Sequence, residues 1–119
     1  MAEEPARPSD MTAGHYGYIR AVADALESAG IPVADFRADD RVLRDGWIAF
    51  DLARQVALHG RLVWDCEQAG VAWAEDQGWV LVTVGFARTQ EGLDVASEAA
   101  PQEVVRAVAR KAGIVLDGL

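Results

Sequence analysis

Lysine is nearly missing from this chain: Lys111 is the only one in 119 residues, and arginines scattered among 19 acids leave a formal net charge of −8. Binding a phosphate backbone needs clustered Lys and Arg that displace its counterions, so nucleic acid is not an expected partner. The same balance argues against anionic membrane surfaces and suits basic protein partners. Cysteine is as scarce. Cys66 alone cannot form an internal disulfide, which agrees with a reducing compartment. Long apolar runs are absent too: the longest, Trp79 to Val84, has the length of one buried strand, far from the roughly eighteen residues of a membrane helix. Residues 1–10 lack the basic start and apolar run of a signal peptide, and their prolines and acids predict a disordered tail. That leaves residues 11–119 as a single domain whose expected address is cytoplasmic.

What is present is the makings of a core. The chain is 51% hydrophobic and 25% charged, the profile of a folded domain that can do without disulfides or metal. Ile19, Val22, Leu26 and Ala29 fall at helical spacing and predict a helix from Met11 or Thr12 to Ala29, capped by Ser9 or Asp10. Gly30 and Pro32 end it. Val33–Ala38 alternates as a strand, Asp39–Gly46 is turn-like, and Trp47–Leu52 is a second strand with Ile48, Phe50 and Leu52 on one side. For Leu52–His59 two readings stand: a short helix capped by Asp51 and closed by Gly60, or a loop joining two strands.

Arg61–Glu67, Val71–Glu75 and Trp79–Val84 read as further strands, the last two joined by a hairpin at Asp76-Gln77-Gly78. A faint repeat, Trp64-Asp65-Cys66-Glu67-Gln68 and Trp73-Ala74-Glu75-Asp76-Gln77, suggests successive units of a meander. Residues 85–100 read as a loop with a short strand near Leu93–Val95. Pro101 opens a final helix whose stripe is Val104, Val105, Val108 and Ala112; Gly113 stops it, and an apolar tail follows. The expected fold is α+β: a two-layer domain with an N-terminal helix, an antiparallel sheet of four or five strands, and a C-terminal helix.

Catalytic constellations are not found. Cys66 stands between Asp65 and Glu67, whose charges oppose a thiolate. His15 and His59 occur without Cys-x-x-Cys or His-Glu-x-x-His spacing, so no metal site is expected. The acid pairs Asp39-Asp40 and Glu75-Asp76 suit solvated turns, and no phosphate-binding glycine motif or nucleophile elbow is present. No cofactor is expected. The positive feature is tryptophan: Trp47, Trp64, Trp73 and Trp79 all fall in predicted strands. Tryptophan is enriched at interface hot spots, although a crowded core absorbs it equally well. Trp47 is opposite in parity to Ile48 and Phe50, which predicts an outward-facing indole; if Trp73 shares that face, the sheet carries an aromatic surface flanked by Asp65 and Glu75.

The segment Trp73-Ala74-Glu75-Asp76-Gln77-Gly78-Trp79, with Ala29-Gly30-Ile31-Pro32 at the helix end, resembles an uncharacterised family of small actinobacterial α+β proteins with a Trp-x-Glu-x-x-Gly-Trp strand–turn motif. The resemblance spans about residues 15 to 112 and departs at Ala74, where the family has Asp. It implies the fold and no activity. The element order also looks like that of secretion-chaperone-type domains, which bind protein chains as dimers. Three functions follow as expectations. The first is a non-enzymatic protein-binding module (adaptor, chaperone-like or regulatory) that uses the aromatic sheet face and acidic surface, with a protein partner or a second copy. The second is a small-molecule binder or enzyme with a pocket between sheet and helices, for which Trp64, Asp65, His59 and Glu67 are the first candidates. The third is an acidic antitoxin or immunity-type protein.

Overall fold

A computed structural model of the chain describes residues 7–39, 45–60, 63–64 and 66–114. Helix α1 (Arg7–Ser28) leads into strands β1 (Val33–Asp39) and β2 (Asp45–Phe50), then a short helix α2 (Leu52–His59). Strands β3 (Gln68–Ala74), β4 (Gly78–Val84) and β5 (Arg88–Gly92) follow, and α3 (Pro101–Ala112) ends the fold. The strands pair in sequence order, every pair antiparallel, as one five-stranded meander. This is the expected two-layer α+β domain, with the larger of the two expected strand counts.

The termini of the helices obey local chemistry. Asp51 accepts from the Arg54 amide at 3.0 Å and caps α2, while Gly60 closes it at φ +70° with its amide on Val56 O, so the helical alternative for 52–59 is correct. Gly113 ends α3 in the same left-handed way. Helix α1 begins at Arg7, inside the expected tail, because Pro8 in a first turn forfeits no helical hydrogen bond. Ser9 and Asp10 thus lie within the helix; residues 1–6 of the expected tail lie outside the described residues.

The strands differ from expectation in three places. Asp45 and Gly46 belong to β2, paired with Asp39 and Ala38, and not to a turn; residues 40–44 of that expected turn lie outside the described residues. The segment 61–67 is not a strand where it is described: Trp64 turns inward and stacks on Phe50 at 5.5 Å, so the first copy of the faint repeat is a connection. The strand expected near Leu93–Val95 is instead Arg88–Gly92, an exposed edge strand. The β3–β4 hairpin is as expected, with Gly78 at φ +80° opposite Ala74. The apolar tail beyond Ile114 lies outside the described residues.

Packing occurs on one face of the sheet. Ala38, Gly46, Trp73 and Trp79 share one cross-strand row, and Phe36, Ile48, Val71 and Leu81 the next. A β-bulge between Val33 and Asp35 lets both Val33 and Phe36 meet the core despite their odd separation. Ile19 sits directly over Gly46: a Cβ there would be 2.8 Å from its Cδ1. Val104, Val105 and Val108 of α3 complete the same core. At the other end Tyr18 meets Trp73 and Trp79 at 5.9 and 6.0 Å. Its hydroxyl donates to Ala99 O at 2.5 Å and accepts from Trp79 Nε1 at 3.1 Å.

Helix α2 is held differently. Glu27 accepts from the Val33 amide at 2.9 Å and pairs with Arg54, and His59 Nε2 bonds Gly30 O at 2.7 Å. The Val33 amide first, then Arg54, holds the Glu27 carboxyl below its ordinary range. The one side chain α2 buries fully is Gln55, and among the described residues its amide has no hydrogen-bond partner. A buried, unpaired amide costs about 1–3 kcal/mol, whereas an apolar replacement of similar shape carries no such penalty. Gln55→Met is therefore expected to raise stability by about 1–3 kcal/mol in urea unfolding. Tyr18→Phe is expected to lower it by about 1–3 kcal/mol, since Ala99 O and Trp79 Nε1 lose their partner. Burial, then Glu98 and Glu103 against the Trp79 hydrogen bond, raises the Tyr18 hydroxyl above its ordinary value. A raised acid favours the protonated native state, so this contribution is whole below about pH 10 and is lost as pH rises beyond it. Urea midpoints above pH 10 should fall less steeply in Tyr18→Phe.

Candidate functional site

The face of the sheet opposite α1 and α3 is built by register. Trp47 pairs with Arg37 on one side and Ala72 on the other, and Ala72 continues to Val80. Ala49, Gly70, Val82 and Gln90 form the next row, and Gln68, Val84 and Arg88 the third. Directly paired residues point the same way, so these rows share one surface. No described helix packs over it. Strand β4 is thus apolar on both sides, with Trp79 and Leu81 in the core and Val80, Val82 and Val84 on the open face.

The open face is concave. A groove of about 400 Å³ runs between Arg37 and Arg88, with Asp45, Trp47, Val80 and Val84 among its walls. A second concavity of about 390 Å³, bordered by Ala34, Ala49, Asp51 and Glu67, shares Trp47 with the first. Trp47 is therefore the ridge between them. Its indole lies over Gly70, where a Cβ would come 2.6 Å from Trp47 Cη2 and run into the Ile48 carbonyl. Glycine at position 70 is what lets the ring lie flat.

The other expected site residues are elsewhere. Trp73 and Trp79 are 4% and 2% exposed and face the helices. Trp73 therefore does not share the surface of Trp47. The reason is register: Trp47 is opposite Ala72, so Trp73 takes the other side. Trp73 Nε1 donates to Ser97 O at 2.6 Å, and Trp64 is buried beside Phe50 with its indole N–H unpartnered. Glu75 is exposed in the β3–β4 turn, and Asp65 lies outside the described residues. The Cys66 thiol donates to Gln68 O at 3.2 Å, and His59 serves the α1–α2 junction. Among the described residues no group of three His, Cys, Asp or Glu could hold a metal ion, and no helix is long and apolar enough to cross a membrane.

Arg37, Arg88 and the Val80–Val82–Val84 stripe are the site residues that composition and motif do not reveal. The signal for them lies in Trp79–Val84, which is apolar at nearly every position; a strand of that kind is buried on both faces. Because three indoles are in the core, Trp47 is expected to supply most of the quencher-accessible tryptophan fluorescence. Acrylamide quenching of Trp47→Phe against the parent protein checks this, the accessible fraction disappearing in the variant.

No protein-family model, curated protein or solved structure matches the chain, so its function is argued from this face.

Proposed function

We propose that the protein is a non-enzymatic, cytoplasmic protein-binding module, adaptor, chaperone-like or regulatory, whose partner docks on the open face of the sheet. The observation that carries this reading is that β4 is apolar on both faces while the helices cover only one. Val80, Val84 and Trp47 are part-exposed while Val82 is 2% exposed, so those three supply the apolar surface still open to a partner, worth about 25 cal/mol per Å² on being covered. Trp47 gives the face an aromatic ridge, the residue type most enriched at binding hot spots. The acidic remainder of the surface keeps the chain dispersed and favours partners of the opposite charge.

Val80 is half-buried at the centre of the face, next to Ala72, and touches nothing in the helix layer's rows. Val80→Asp should leave the thermal midpoint within a few degrees of the parent and abolish retention of a protein partner in pulldown from the native cell. Light scattering on the eluted complexes separates a foreign partner from a second copy. A parent protein that is strictly monomeric and retains nothing, or a Val80→Asp variant that retains the same partner, overturns the reading.

A further inference from the structure

The groove has a charge pattern at odds with the chain around it. The protein carries a net charge of −8, yet among the described residues the charged side chains lining the groove are two arginines and one aspartate. Elsewhere among the described residues Arg54 pairs with Glu27, Arg20 with Asp24 at 3.9 Å, and Lys111 with Glu91 at 2.9 Å, while Arg106 and Arg110 stand unpaired beside Asp94 and Glu103. Arg37 and Arg88 form no ion pair or hydrogen bond through their guanidinium groups among the described residues. Each is exposed, so it loses nothing while solvated, and each offers a planar fork suited to a carboxylate.

Their placement sets the shape of what they hold. Arg37 is on edge strand β1 and Arg88 on edge strand β5, four strand spacings apart and two rows offset along the strands. At about 4.8 Å per spacing the separation is on the order of 20 Å. The single groove of about 400 Å³ joins them. An extended chain advances about 3.3 Å per residue, so about six or seven residues bridge the two arginines. The apolar groups between them are the Trp47 ridge, Ala72, Val80 and Val84, with Val82 beneath at 2% exposure. A second copy of this face is a poor filler, because among the described residues it offers one carboxylate, Asp45, against two arginines.

We propose that the groove takes an extended segment of a partner protein, apolar in its middle and bearing a carboxylate at each end, which crosses the strands and places its two acids on Arg37 and Arg88. This rests on the open face being a protein-binding surface and adds the partner's chemistry to it. Because the segment crosses the strands, it is held through side chains and not by adding a strand at an edge. Asp45, beside the Arg37 end, disfavours further acids there.

The test is binding of labelled heptapeptides to the full chain, read by anisotropy and by Trp47 emission. The peptides share a five-residue apolar middle of Leu, Val and Phe and differ only in their end residues, which are Glu, Gln or Lys. Glu-ended peptides should bind about tenfold more tightly than Gln-ended ones, Lys-ended ones more weakly still, and added salt should narrow the difference. In the double variant Arg37→Glu with Arg88→Glu the preference should reverse to the Lys-ended peptide, a gain that an unfolded variant cannot produce. Glu- and Gln-ended peptides binding equally, yet lost in Val80→Asp, overturns the carboxylate pairing and leaves the docking surface standing. Failure of every Glu-ended peptide at millimolar concentration, or an unchanged preference in the double variant, overturns the inference outright.

Discussion

Ile19 occupies the space that a side chain at position 46 would fill, and this close approach sets the distance between the helix layer and the sheet. The row beneath α1 runs Ala38, Gly46, Trp73, Trp79, two small residues followed by two indoles. Helix α1 is thus pressed against β1 and β2 and stands away from β3 and β4, where Tyr18 and the segment returning through Ser97 and Ala99 fill the wedge. Two of the four tryptophans are consumed in closing that wedge. A larger residue at 46 would lift α1, and with it the tyrosine whose hydroxyl joins the 93–100 segment to the Trp79 indole.

With both helices committed to one face, the other is left without a layer of its own. Ordinary two-layer sheets meet this by alternating apolar with polar residues. Here neither strand alternates: β5 is polar and exposed throughout, while β4 is apolar on both sides. Gly70 and Ala72 keep β3 low so that the Trp47 indole can lie across it, which turns a flat sheet face into two concavities with an aromatic ridge. The open face is therefore shaped by side-chain size on three central strands and charged at its two edges.

The sequence revealed what is decided locally. The Asp51 cap, the glycines after α2 and α3, the Gly78 hairpin and the spacing of Ile19, Val22 and Leu26 all depend on neighbours within one or two turns, and all are in place. What it concealed depends on pairing. Strand β5 is a polar segment that becomes a strand because β4 offers it an edge. Trp64 looks like a strand residue by alternation, but Phe50 draws it inward. The face of Trp73 relative to Trp47 follows from which residue stands opposite Trp47, a fact that no pattern within either strand contains. The aromatic face expected from two indoles consequently has one, and aliphatic residues supply the rest.

The end of the open face beside the second concavity is the least firmly built part of the molecule. Asp51, which helps border that concavity, also caps α2. Helix α2 buries the unpaired Gln55 amide while Val56 and Leu58 remain exposed, the reverse of the arrangement in α3. Hydrogen bonds from His59 to Gly30 and from Arg54 to Glu27 hold it against the end of α1, and both lie at or near the surface, where such contacts contribute little. Local opening is cheapest where few apolar contacts would be lost. Helix α2 is therefore expected to open before the sheet does, leaving in place the paired strands that carry Arg37 and Arg88.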